Sequence, residues 1–231
     1  MAKGIIYIMK TVVPGLIKIG KTGSGNFENR MYELEHNGYR NVTGLKRTFA
    51  IEVDEYDEKE KLLHTIFEKS QLSDTELFAI DVNIVIQLLS SFDGTTVYPP
   101  AETKEEVFEE ATDNIKGKLI PNGSYVLKRK KRTDKKAVDA IAFIENGSWT
   151  IKKGSTLGVS EGIGMSVKAK KVRGDMPVDE NGKLLEDYEL GECSPSFAAD
   201  VVVNGSVDGW LEWKNPNGKS VDIYREKETE E

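Results

Sequence analysis

Five consecutive residues near the start of the chain, Ile5-Ile6-Tyr7-Ile8-Met9, form a run that is almost wholly apolar, β-branched and aromatic. Such a run predicts a buried strand. Val13-Pro14-Gly15 turns the chain, and Leu16-Ile17-Lys18-Ile19 predicts a second strand, so the pair forms a hairpin. A loop, Gly20-Lys21-Thr22-Gly23-Ser24-Gly25, follows. Asn26 can cap a helix in which Phe27, Met31 and Leu34 fall at i, i+4 and i+7, and His36-Asn37-Gly38 ends it. A strand over residues 45–53 comes next, then a helix over 55–69 with Leu62, Leu63, Ile66 and Phe67 apolar. Phe78-Ala79-Ile80 is short and extended, and Asp81 can cap a last helix. The predicted order is β-β-α-β-α-(β)-α.

Residues 1–95 are expected to form this first domain. Residues 96–118 read as a linker or peripheral helix: Tyr98-Pro99-Pro100 stops any regular element, and Thr103 with Glu106 makes a capping box. Residues 119–226 predict a strand-rich α+β domain, with 227–231 a charged tail. Its strands are expected at Tyr125–Leu127, Ala140–Ile144 and Ser148–Ile151. Ser194-Pro195-Ser196 opens a helix that Asn204-Gly205 ends. Trp210–Lys214 and Ser220–Tyr224, joined by Asn215-Pro216-Asn217-Gly218, predict a hairpin. The fold class is α+β in both parts.

Hydrophobic residues make up 38% and charged residues 31% of the 231-residue chain, a soluble globular composition. Its longest apolar runs fall far short of the 18 residues a membrane span needs, so none is expected. Met1-Ala2-Lys3-Gly4 leads straight into a strand, which argues against a signal peptide and for the cytoplasm. A single cysteine excludes an intramolecular disulfide framework and a Cys-based zinc cluster, and two histidines argue against a multi-His metal site. The net charge of −7 hides its distribution: residues 116–173 hold 15 basic and 4 acidic side chains, whereas 174–231 hold 5 and 15. The basic segment is either a local phosphate-binding face or a solvated face that pairs with the acidic C-terminal third.

Three polar residues of the first domain sit in or beside its predicted core. Tyr7 lies mid-strand, where it is either a core aromatic with its hydroxyl at the rim or a functional group. Arg30 flanks the apolar face of its helix, as a snorkelling surface side chain or as part of a site. Glu60 shares a helical face with Leu63, His64 and Phe67, so its carboxylate needs a cation, a metal or rim water as partner.

Together these residues resemble the GIY-YIG nuclease module. Ile5-Ile6-Tyr7, then Lys18-Ile19-Gly20-Lys21-Thr22, then Arg30 look like its first motifs. Glu60-x-x-Leu63-His64-x-x-Phe67 and Glu76-Leu77-Phe78 resemble its phage-type branch, over residues 4–92. The resemblance implies a small three-stranded antiparallel sheet flanked by helices, and a DNA phosphodiesterase using one divalent metal, Mg²⁺ or Mn²⁺. It makes Tyr7 a general base or water-orienting group, Arg30 the phosphate-steadying arginine and Glu60 the metal ligand, and it places His64 in the same site. Lys18 stands where better-studied members carry tyrosine, to hold a phosphate or tune Tyr7. Glu76 is either a further polar member of the site or a cap residue.

Ser194-Pro195-Ser196, Asn204-Gly205, Gly209-Trp210, Trp213-Lys214 and Tyr224-Arg225 resemble a domain of unknown function often appended to such nucleases. Lys128-Arg129-Lys130-Lys131-Arg132, flanked by Lys135, Lys136, Lys152 and Lys153, is expected to join Lys21 in gripping the DNA backbone. The expected activity is that of a metal-dependent DNA endonuclease from a bacterial, phage or mobile-element setting, its second domain aiding DNA or partner binding. The alternative is a non-cleaving DNA-binding or regulatory protein that keeps the fold.

Overall fold

The computed structural model describes residues 2–100, 103–130 and 137–225. Lys131, Arg132, Lys135, Lys136 and the 227–231 tail lie outside them. The chain folds as two compact units, Met1–Thr112 and Asp113–Glu231.

The first unit runs β1 (Lys3–Lys10), β2 (Leu16–Gly23), α1 (Phe27–Asn37), β3 (Lys46–Asp54), α2 (Tyr56–Ile66), β4 (Leu77–Ala79), α3 (Val82–Ser90), β5 (Gly94–Tyr98) and α4 (Lys104–Gly117). Its sheet is antiparallel in the order β4-β2-β1-β3-β5. The three expected strands form the centre, and β4 and β5 extend it to five. β1 is paired on both edges and covered on both faces, which is why its middle residues are all apolar or aromatic. Ile5, Tyr7 and Met9 pack with Phe27, Met31 and Leu34 of α1. Ile6 and Ile8 pack on the other face with Leu63 of α2 and Val85, Ile86 and Leu89 of α3. Gly38 closes α1 at φ 77°, its N–H donating to the Leu34 carbonyl at 3.0 Å. A Cβ there would lie 2.3 Å from the Val42 carbonyl oxygen, so only glycine fits.

Residues 94–98 correct the linker expectation. They pair with β3 as an edge strand. The capping box does form: Thr103 N–H donates to Glu106 Oε2 (2.8 Å) and Glu106 N–H to Thr103 Oγ1 (3.2 Å). The helix it opens belongs to the first unit as far as Thr112, with Val107 and Ala111 buried in that core.

The second unit runs β6 (Gly123–Lys130), β7 (Ala137–Glu145), β8 (Ser148–Ile151), α5 (Val167–Asp175), β9 (Tyr188–Glu192), α6 (Pro195–Val203) and α7 (Gly209–Glu212), with an antiparallel sheet ordered β6-β7-β8-β9. β7 alternates strictly, with Val138, Ala140, Ala142 and Ile144 buried against Ala169 of α5, Ala198, Ala199 and Val202 of α6, and Trp210. Ser194 caps α6, its hydroxyl accepting from Phe197 N–H at 3.1 Å, and Asn204 ends it in the left-handed region.

The expected Trp hairpin does not form. Asp208 accepts from Trp210 N–H (3.0 Å) and starts the short α7, which lets Trp210 and Trp213, three residues apart, both be fully buried. Residues 221–224 form a 3-10 turn, and only Lys214 and Ser220 bridge as strands would. Asn215 Oδ1 organises the loop between them by accepting from the Asn217 and Lys219 N–H groups, each at 3.0 Å.

Asp200 on α6 accepts from Val207 N–H at 2.8 Å, and burial pushes its carboxyl up to about 6. Between the unfolded value of 3.8 and about 6 the folded protein holds a proton that the unfolded chain has released. Stability therefore falls as pH rises through that window, and the penalty is complete above it. Asp200→Asn keeps an acceptor and removes the charge. Discounted for its partial exposure to solvent, the gain over wild type should be about 2 kcal/mol at pH 7.5 and nothing near pH 3.5. Urea melts at both pH values check this, and a difference that does not change with pH contradicts it.

Candidate functional site

The β1–β2 register sets Tyr7 opposite Gly20 and Met9 opposite Lys18, so Tyr7, Lys18 and Gly20 share the face covered by α1. Gly20 has no side chain, and the neighbouring head groups lie directly over its Cα. A Cβ on it would meet the Tyr7 hydroxyl at 2.7 Å and Lys18 Nζ at 2.8 Å. A phenol and an ammonium therefore converge on one point. Arg30 reaches the same place from α1, with Nε donating to the Tyr7 oxygen at 3.4 Å and Nη1 3.5 Å from Glu33 Oε2. Its 35% side-chain exposure puts the guanidinium at the surface end of the cluster.

Tyr7 is 1% and Lys18 0% exposed. Burial pushes the Tyr7 hydroxyl up, and the Arg30 hydrogen bond and charge only partly offset this. The phenol is thus held protonated, and the cations beside it do not make it a better base. Burial pushes Lys18 the other way, down from the usual lysine range, against its ion pair with Glu76. The Lys18 ammonium also lies 4.5 Å from the Tyr39 ring centroid and 5.4 Å from that of Tyr7.

Glu60 comes from α2, on the other face, and is buried with 7% exposure. Lys21, whose register places it on that face, reaches Glu60 Oε2 at 3.2 Å and Asp57 Oδ1 at 2.8 Å. These carboxylates, Asp57 foremost, raise the Lys21 ammonium. His64 Nε2 lies 3.4 Å from Glu60 Oε1 but is buried without a hydrogen-bond partner, while Nδ1 faces Gln71 Nε2 at 3.5 Å. The two faces communicate because β4 pairs only with Leu16–Lys18, leaving Gly20–Gly23 paired with β1 alone among the described residues. The Glu60 charge acts on both Tyr7 and Lys18.

The structure thus brings together Tyr7, Lys18 and Arg30 in one cluster and Glu60, His64 and Lys21 in an adjoining one. Two members had no distinct sequence signal. Tyr39 follows the Gly38 stop and belongs to no periodic pattern. Asp57 sits among other acids of the α2 first turn. Glu76, by sequence either a polar member of the site or a cap, pairs with Lys18, and Asp81 caps the helix that follows. In the second unit, Lys128 pairs with Asp139 at 3.1 Å, Arg129 pairs with Glu212, and Lys152 with Asp187. Part of the basic segment is therefore neutralised within the unit.

Residues 4–93 match the family model of the T5orf172 domain, a domain associated with endonucleases. Residues 130–225 match that of a domain of unknown function, DUF4357. The two matches together support a nuclease-associated pair of domains. No curated protein and no solved structure matches it. No helix among the described residues is long and apolar enough to cross a membrane.

Gly20→Ala forces the Tyr7 and Lys18 heads apart. It should cost about 1–3 kcal/mol in overpacking and break the Tyr7–Arg30 contact. Denaturant midpoints and the ultraviolet titration of Tyr7 read the two effects. Wild-type behaviour in both would contradict the packing described.

Proposed function

We propose that the first unit is a metal-assisted DNA phosphodiesterase of the GIY-YIG type, with one scissile phosphate bound over Gly20. The observation that carries this reading is the convergence of a hydroxyl and an ammonium on that glycine, with the Arg30 guanidinium hydrogen-bonded to the hydroxyl and the Glu60 charge felt by both. The match to an endonuclease-associated domain supports it.

A phosphodiester is attacked slowly because its negative charge repels the nucleophile. Arg30 uses two of its five N–H donors on Tyr7 and Glu33, and the fork that remains suits two non-bridging phosphate oxygens. The Tyr7 oxygen already accepts from Arg30, so its own proton is directed to another acceptor: the attacking water or a phosphate oxygen. Because burial holds that proton on, Tyr7 orients and donates in preference to acting as the base. Lys18 adds a positive charge fixed in a buried position, where it acts more strongly than in water.

The residues around Glu60 fit a hard divalent ion such as Mg²⁺ or Mn²⁺. A buried carboxylate stands beside a His64 nitrogen that lacks a hydrogen-bond partner. Among the described residues no three His, Cys, Asp or Glu side chains are grouped to hold a metal, so Glu60 would be its protein ligand and water and phosphate would complete an oxygen shell. When bound, the ion supplies charge neutralisation for the departing oxygen. Lys21 holds the carboxylate in place. The second unit aids by contacting backbone phosphates through its basic segment.

A non-cleaving DNA-binding protein is the second reading, and one observation favours it: Glu60 and Glu76 each already have a lysine partner. Supercoiled plasmid incubated with Mg²⁺ or Mn²⁺ and wild type, Glu60→Ala or Tyr7→Phe decides between them. We expect nicking by wild type, loss to background in Glu60→Ala, and a fall of about 100-fold in Tyr7→Phe. Equal cleavage by all three contradicts the assigned site, and shifted but intact DNA favours the second reading.

A further inference from the structure

We propose that Glu76 is the positioning residue for Lys18, keeping its ammonium charged and laid across Gly20, beside the Tyr7 hydroxyl, for contact with a phosphate. This rests on the phosphate-binding reading above and adds to it a residue that acts through another.

Lys18 projects from the middle of β2 and is fully buried. A buried ammonium without a counter-charge gives up its proton, because leaving water costs the charged form far more than the neutral one. The groups that face it come from five places. Tyr7 of β1 offers its ring, and Tyr39, beyond α1, offers another. Arg30 of α1 opposes the charge, Glu60 of α2 supports it, and Glu76, just before β4, forms the ion pair. Glu76 is the largest charge-retaining influence, and Arg30 outweighs Glu60. With Glu76 removed, the net influence of burial and the remaining charges is toward a neutral amine.

The carboxylate is also placed by the backbone that carries its partner. The Ile19 N–H donates to the Glu76 carbonyl at 3.1 Å. The Glu76 N–H donates to the Tyr39 hydroxyl at 3.2 Å, and the next residue, Leu77, pairs with Lys18. Tyr39 therefore contacts both members of the pair, the ammonium through its ring and the Glu76 backbone through its oxygen. Glu76 is 37% exposed at its side chain whereas Lys18 is buried, so the carboxylate spans from solvent to the ammonium. A neutral glutamine of the same shape can be accommodated there.

The test uses the full chain with ¹³Cε-labelled lysine. The Lys18 resonance is assigned by its loss in Lys18→Arg, and its titration is followed by NMR in wild type, Glu76→Gln, Glu76→Asp and Tyr39→Phe. Thermal melts confirm that each variant is folded. Glu76→Gln should move the Lys18 midpoint down from wild type, and Glu76→Asp should restore it most of the way. Tyr39→Phe, which keeps the ring and loses the hydroxyl, should fall between. In the plasmid assay Glu76→Gln should lose about 100-fold at pH 7, and its alkaline limb should move to lower pH with the Lys18 midpoint. An unmoved Lys18 midpoint in Glu76→Gln overturns the proposal whatever cleavage does. A moved midpoint with wild-type cleavage overturns the link to phosphate. If wild type does not cleave and the midpoint moves as expected, the positioning role stands and the hydrolase reading falls.

Discussion

The first unit depends on keeping an ammonium inside a β-sheet. Moving a lysine head group out of water costs several kcal/mol unless a counter-charge meets it. Lys18 is nevertheless fully buried at the centre of β2. Much of the local architecture accommodates it. Gly20 leaves the space that its head group and the Tyr7 hydroxyl occupy. The chain before β4 brings Glu76 to it, and Tyr39 closes over it. β4 is only three residues long and its pairing stops at Lys18, so among the described residues the buried Gly20 pairs with β1 alone.

In the proposed site, elements on opposite faces of the sheet contribute. α1 delivers Arg30 to the Tyr7 face, while α2 delivers Glu60 and His64 from the other. Each cluster alone is ordinary: an arginine on a tyrosine, a lysine on a glutamate. In that proposal, positive charge and a directed hydroxyl on one side and a buried carboxylate on the other hold a phosphate together with a hard cation. The same arrangement is held at rest by internal ion pairs, Lys18 with Glu76 and Lys21 with Glu60 and Asp57. A ligand must therefore compete with carboxylates that are already in place, which favours a strongly anionic group such as a phosphodiester.

Local patterns exposed most of this fold in advance. The apolar run around Tyr7, the Phe27–Met31–Leu34 stripe and the Thr103–Glu106 box each appear where their chemistry puts them. The α+β class and the two antiparallel sheets follow from them. What escaped is non-local. Gly94–Tyr98 is an edge strand whose residues are at most half-buried, so its pattern resembled the loop chemistry of the prolines after it. Trp210 and Trp213 fit a strand or a helix equally well by type, and the Asp208 cap decided for the helix. Glu76 lies 58 residues from Lys18, and only folding shows that the two meet. The basic segment reads from sequence either as a phosphate-binding face or as a face that pairs with the acidic C-terminal third, and Glu212 and Asp187 of that third, with Asp139, neutralise part of it. Charge counted along a chain does not record pairing in space.

The central claim is that Tyr7, Lys18 and Arg30 address one phosphate. The most direct measurement is an NMR titration of the full chain with a short DNA duplex carrying non-cleavable phosphorothioate linkages, reading the Tyr7 ring, Lys18 ε and Arg30 Nε resonances together. The account predicts that all three shift along a single saturation curve. Separate curves, or shifts confined to the second unit while these three stay still, would contradict it.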